Sequence, residues 1–158
     1  MTFFKGTAAD YVELLKKSYQ IIKSADHNAQ VLVAGAANEN EQFFNYWRQV
    51  FAVDGVKDSF DIANIHNIGP DKNGDFNVAK YKNLLAEFTI TKPIWVTEAE
   101  NESSGDKVKV LENSVSGAIK SGAEKIFFTG ASLTGSSNKY GSNLEKEKGY
   151  YKNIIGQY

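Results

Sequence analysis

Two groups able to carry acid–base or nucleophilic chemistry close two apolar runs of this chain. Phe60-Asp-Ile-Ala-Asn-Ile-His66 ends on an imidazole, and Lys92-Pro-Ile-Trp-Val-Thr-Glu98 ends on a carboxylate, followed by Ala99-Glu100. A carboxylate can attack an electrophilic carbon or move a proton, and an imidazole beside it can orient it or share its ligand. Parallel α/β folds place such groups at the carboxyl ends of strands, which makes Glu98 a candidate catalytic residue. Strand alternation puts Ile62, Asn64 and His66 on one face, and Ala63 and Ile65 on the other. Neighbouring strands lie about 4.8 Å apart, close enough for His66 and Glu98 to meet or share a ligand. A solvated loop acid and a histidine satisfying a backbone carbonyl are the structural alternatives.

The elements that must position these groups follow from periodicity. Thr7 to Ser24 has a helical period with Tyr11, Leu14, Leu15, Ser18 or Tyr19, and Ile22 on one face, and Thr7-x-x-Asp10 resembles a capping box. Val31 to Ala37 reads as a buried strand, Phe43 to Val53 as a helix stopped by Gly55, and Phe60 to His66 as a second strand. A turn-rich loop over Asn67 to Asn77 leads to a helix over Val78 to Phe88. Pro93 opens the third strand, where a missing ladder donor is tolerated, and Ile94, Trp95 and Val96 suit burial on both faces. Trp47 and Trp95 are most simply core residues. A helix over Asp106 to Ser121 and a fourth strand over Lys125 to Thr129 come next. A Gly/Ser/Asn-rich loop then precedes a short helical segment around Tyr150, Tyr151, Ile154 and Ile155.

Helices alternate with strands spaced about 30 residues apart, the pattern of right-handed parallel crossovers. The expected class is α/β, organised as one domain over residues 1–158. With 42% hydrophobic residues and a formal net charge of -1, nothing argues for nucleic acid or an anionic membrane as partner. No apolar run is long enough for a transmembrane span, and the opening Met-Thr-Phe-Phe-Lys-Gly-Thr7 has no signal-peptide character. Localisation stays open. The chain has no cysteine, which removes disulfides and thiolate sites. His27 and His66 have no metal-ligand spacing, no Gly-x-Ser-x-Gly elbow occurs, and Gly35-Ala-Ala-Asn and Gly130-Ala-Ser are not phosphate loops. No metal or cofactor is expected.

The succession Gly6-Thr-Ala-Ala-Asp-Tyr11, Tyr19-Gln-Ile-Ile-Lys-Ser-Ala-Asp26, Val31-Leu-Val-Ala-Gly35, Phe60 to His66 and Lys92 to Glu98 resembles the second half of a clan A retaining glycoside hydrolase. The resemblance runs from about Gly6 to Thr129 and is most specific at Pro93-Ile-Trp-Val-Thr-Glu98. It implies a parallel four-stranded (βα)4 half of a TIM barrel, with strands matching barrel strands five to eight and an extra N-terminal helix. Glu98 would stand at the nucleophile position, and His66, Asn64 and Asn67 would bind the sugar. The chain departs from the family pattern in three places: Asn67-Ile68 replaces an aromatic, Phe127-Phe-Thr-Gly130 stands where a strand-eight tryptophan is common, and Ala99-Glu100 follows the nucleophile. The family's acid/base glutamate, on strand four, has no counterpart in the matched residues.

On this resemblance the partners are carbohydrate and either a complementing N-terminal half barrel or further copies of the chain. Without the second carboxyl, hydrolysis by the chain alone is expected to be absent or very weak. The rival expectation is a non-catalytic carbohydrate-binding or oligomeric interaction domain. A small doubly wound domain binding a phosphorylated ligand is disfavoured by the missing glycine loop.

Overall fold

A computed structural model describes residues 4–36, 41–66, 68–69, 76–99 and 107–128. In chain order they form α1 (Ala8–Ala25), α2 (Glu41–Phe51), a 3-10 turn (Val56–Asp58), β1 (Ala63–His66), α3 (Asn77–Glu87), β2 (Ile94–Ala99), α4 (Lys107–Lys120) and β3 (Ala123–Phe128). The strands make a three-stranded parallel sheet in the order β1-β2-β3. The protein is therefore α/β, as expected. The loop after Gly130 and the helix expected around Tyr150 lie outside the described residues.

The first of the four expected strands, Val31 to Ala37, is not a strand over residues 31–36, where only two isolated bridges form. Leu32 bridges Ile62 and Ala36 bridges Ile65, both in parallel, so four steps on one side meet three on the other. That one-residue mismatch, together with the diversion of the Ala34 N–H, leaves two isolated bridges in place of a ladder. Within the stretch the Ala34 N–H turns away from the ladder and donates to the Tyr11 hydroxyl at 2.8 Å. The backbone still runs alongside β1, with the Val33 N–H on the Ile62 carbonyl and the Ala36 N–H on the Asn64 carbonyl.

Capping fixes the first helix. The Asp10 N–H donates to Thr7 Oγ1 at 3.1 Å and the Thr7 N–H donates to Asp10 Oδ2 at 2.8 Å, a reciprocal box with Asp in place of the usual Glu. Its buried stripe is Ala8, Val12 and Leu15, rotated from the stripe expected through Leu14 and Ile22. Leu14 is 54% exposed, because Val12 and Leu15 already meet the core and a helix turns about 100° per residue.

Val33, Ala63, Ile65, Ile94, Val96, Ala99 and Ala123 of the sheet side join Phe44, Trp47, Val50, Phe51, Tyr81, Leu84, Leu85, Val115 and Ala118 of the helices in one core. Trp47 is buried there, as its spacing implied. The helices thus cover one face of the sheet. Among the described residues no helix is long and apolar enough to cross a membrane.

A polar cluster holds the amino end of β1. Asp61 accepts from the Tyr19 hydroxyl at 3.0 Å and from the Val31 N–H at 2.8 Å, and its Oδ2 pairs with Lys23 Nζ at 2.8 Å. Burial alone would push the Asp61 carboxyl up, but the Lys23 ammonium, the Val31 N–H and the Tyr19 hydroxyl outweigh it and hold the group below its ordinary value. Asp61→Ala should therefore lower stability by about 2 kcal/mol at neutral pH, since hydrogen bonds to a charged group are lost. For a depressed carboxyl this contribution is whole above about pH 4, the ordinary aspartate value, and is lost as pH falls through the lower folded value. Denaturant unfolding of both proteins from pH 7 downward should show the two curves converging below pH 4. A constant gap would refute the charge-linked account.

The turn into β2 stores strain. α3 closes with the Ile90 N–H on the Leu85 carbonyl at 3.0 Å and the Thr89 N–H on the Ala86 carbonyl at 3.1 Å, a helix end that normally uses glycine. Here Thr89 takes φ 54°, costly for a β-branched residue. Thr89→Gly should raise the urea midpoint, equivalent to about 0.5–1 kcal/mol after the added chain entropy of glycine is deducted. An unchanged or lower midpoint would mean that the threonine conformation is not strained.

Candidate functional site

Parallel pairing aligns Ala63 with Ile94, Asn64 with Trp95 and Ile65 with Val96, and then jumps, pairing His66 with Glu98. The other neighbour reports the same jump: Val96 pairs with Ile126 and Ala99 with Phe128, leaving Thr97 and Glu98 opposite the single residue Phe127. Both ladders thus place one extra residue in β2 at Thr97–Glu98. The burial pattern agrees. Val96 and Ala99 are buried, whereas Thr97 is partly exposed and Glu98 exposed, so two successive side chains leave the helix-covered face. A bulge re-aims side chains in this way, and here it turns Glu98 to the face of Asn64 and His66.

The structure brings His66 and Glu98 together. His66 Nδ1 lies 3.4 Å from Glu98 Oε2, with the carboxylate side chain 60% exposed and the imidazole 21% exposed. The contact becomes an ion pair when the imidazole is protonated. One rung lower, Thr97 Oγ1 donates to Asn64 Oδ1 at 2.8 Å, and Asn64 is buried. Accepting from Thr97 occupies the Asn64 carbonyl oxygen and leaves the amide NH2 as the donor end. Asn67, the remaining candidate, lies outside the described residues.

Space for the imidazole comes from residues 31–36. A Cβ added at Gly35 would run into the His66 ring, so glycine here is a matter of room and not of backbone conformation. Behind this end of the sheet, burial pushes the Tyr11 hydroxyl up to about 12 against the opposing pull of the Ala34 N–H, and burial raises the Tyr81 hydroxyl as well. Both phenols therefore stay neutral at physiological pH and offer no base to the site.

Trp95 is not the core residue its apolar run suggested. It projects from the face away from the helices, where its ring lies 5.7 Å from that of Phe127 at 43°, and Lys125 Nζ sits 4.2 Å from its centroid. Phe127 is 46% exposed. The far face thus carries an aromatic pair, a cation over one ring, and the Asn64, Thr97, His66 and Glu98 group. Sequence reasoning missed Thr97, Lys125 and Phe127. The signal for Thr97 was present: Val96-Thr-Glu-Ala99 puts two polar residues between two buried ones, which strict alternation cannot accommodate.

Chemically, Glu98 is a solvent-reached carboxylate with a histidine at its side and an aromatic surface below. That combination can hold a polyhydroxylated ring by stacking and hydrogen bonding and present a nucleophile or proton acceptor to it. By fold and site the chain is an α/β protein with a polar cluster at the carboxyl ends of parallel strands. No protein-family model matches it, and no curated protein does either.

The Gly35 contact gives a direct check on the pair. Gly35→Ala should displace the His66 ring from Glu98 and cost about 1–3 kcal/mol, the range for overpacking a close contact. A structure of the variant, or loss of the imidazole-to-carboxylate proximity by NMR, would show it. An undisturbed ring would mean that the backbone of residues 31–36 yields instead.

Proposed function

We propose that this chain is the carboxyl-terminal half of a TIM-barrel retaining glycoside hydrolase, with Glu98 as its nucleophile. On this reading residues 31–36 and β1 to β3 correspond to barrel strands five to eight, and the far face of the sheet is the barrel interior. The observation that carries the reading is the register that sets an exposed Glu98 opposite His66 at the carboxyl ends of two adjacent parallel strands. Parallel barrels carry their catalytic groups at that end.

In the proposed reaction a Glu98 oxygen attacks the anomeric carbon, the bond from that carbon to the glycosidic oxygen breaks, and the leaving oxygen takes a proton. Water then displaces Glu98 from the glycosyl ester. Retention needs a second carboxyl about 5–5.5 Å away to give and take that proton. The resemblance assigns it to barrel strand four, so the reading calls for a complementing half, and general-acid assistance of about 100- to 10,000-fold is missing without it. His66 and Asn64 are assigned to the sugar hydroxyls.

The partly exposed Trp95–Phe127 pair also favours a second reading, a carbohydrate-binding domain without catalysis, because an aromatic surface can bind a sugar whether or not Glu98 reacts. One experiment separates the two. Dinitrophenyl 2-deoxy-2-fluoroglycosides have a leaving group that needs little protonation, and incubation with a panel of them should add one fluoroglycosyl mass to the peptide containing Glu98. Glu98→Gln should abolish the adduct. Absence of any adduct across the panel would reject the nucleophile, and oligosaccharide binding that survives Glu98→Gln would then establish the binding domain.

A further inference from the structure

We infer that Thr97 is a positioning residue: its hydroxyl, bonded to Asn64, fixes where β2 bulges and thereby aims Glu98 at His66. As a statement about catalysis the inference rests on Glu98 being the working carboxylate. As a statement about geometry it stands on the register and one hydrogen bond.

The apolar pattern alone does not fix the aim. Ile94, Val96 and Ala99 are buried against the helices, and a carboxylate at Glu98 in regular alternation would have to enter that core, which is strongly unfavourable. That excludes the helix side for Glu98. It leaves open whether the strand bulges after Val96 or simply ends there, with Glu98 released into the loop. A bulge held in register needs an additional restraint, because the ladder is locally broken at the extra residue.

Thr97 supplies it. Asn64 stands opposite Trp95, so Thr97 is its diagonal neighbour on the same face, within reach of a cross-strand side-chain bond. The Thr97 hydroxyl donates to Asn64 Oδ1 at 2.8 Å. Asn64 is buried, so its carbonyl loses a partner it cannot replace from bulk water if Thr97 swings away. The bond joins β1 and β2 at the step before the His66–Glu98 pairing. Once Thr97 is tied to the far face, the next residue can reach Ala99's buried position only by leaving Glu98 on that face too. Serine keeps the donor. Valine keeps the shape and removes it.

The absence of cysteine from the chain permits a test that does not depend on any activity. Register partners on adjacent parallel strands have Cα atoms within disulfide range. The double variant H66C/E98C should therefore oxidise readily to a disulfide between β1 and β2, while W95C/K125C, on the same face, serves as the control pair. Adding Thr97→Val should slow oxidation of the first pair about tenfold, as expected for losing one partly buried hydrogen bond, and leave the control rate unchanged. Thr97→Ser should restore the fast rate. Failure of H66C/E98C to cross-link, an unchanged rate with Thr97→Val, or an equal fall in both pairs would each overturn the inference. In otherwise unaltered protein, the rate of fluoroglycoside labelling should fall with Thr97→Val and recover with Thr97→Ser. Absence of labelling in every form counts against the glycosidase reading, whereas the role of Thr97 in aiming Glu98 stands or falls on the cross-linking rates.

Discussion

The pairing of β1 with β2 governs nearly everything of functional interest in this chain. Up to Ile65 and Val96 the two strands run in simple parallel register, and every second residue faces the helices. Had that register continued, His66 would have met Thr97, and Glu98 would have fallen on the apolar side. One extra residue in β2 changes both outcomes at once. It brings the carboxylate opposite the imidazole and returns Ala99 to the core, so that the strand re-enters the packed layer after presenting two polar side chains. A period of two makes a sheet unforgiving of single-residue shifts, and the site is built from such a shift.

The two ends of the sheet do different work. At the amino end of β1, Asp61 gathers the Tyr19 hydroxyl, the Lys23 ammonium and the Val31 N–H, three bonds from α1 and the segment after it. That cluster ties the first helix to the sheet and is internally satisfied. At the carboxyl end the polar groups are turned outward: Glu98 is mostly exposed, His66 beside it partly so, and Asn64 and Thr97 are bonded to each other. Polar clusters satisfied within the fold serve stability, whereas exposed polar groups at the carboxyl ends of parallel strands stand where such folds meet ligands.

Much of the fold was legible because long amphipathic segments carry a strong signal. The capping box at Thr7 and Asp10, the helices near Phe44 to Phe51 and Val78 to Leu85, and the three parallel strands all follow from local pattern and propensity. The failures have separate causes. Leu14 and Leu15 are equally apolar, and only the position of the sheet decides that Leu15 goes inward. Residues 31–36 look like a strand because they are apolar, but their pairing is set by a register mismatch with β1 that no local property encodes. Trp95 has the composition of a core residue, and its placement depends on which face the helices cover. The juxtaposition of His66 and Glu98 was readable from strand ends and adjacency. The bulge that achieves it was readable only in retrospect, from two polar residues in a row.

The composition of the far face bears on what it is for. A sheet face meant for bulk water normally alternates polar residues against a buried side, and a face meant for a second core is aliphatic throughout. This face is neither. Ile62 and Asn64 are buried on it, Trp95 and Phe127 pack against each other with Phe127 nearly half exposed, and Lys125 lies over the indole. Aromatic rings satisfy two demands together, since they tolerate partial hydration better than aliphatic groups and offer flat surfaces to a ring-shaped partner. An amide, a hydroxyl and a carboxylate at the same strand ends supply directional bonds at the rim of that surface. Under the reading proposed above, a ring with apolar C–H faces and polar edges matches this division, whereas a wholly aliphatic partner would leave the exposed Glu98 carboxylate facing it without a bond. That division of one face into an aromatic surface and a polar rim is what the proposed carbohydrate reading draws on, beside the resemblance at Pro93 to Glu98.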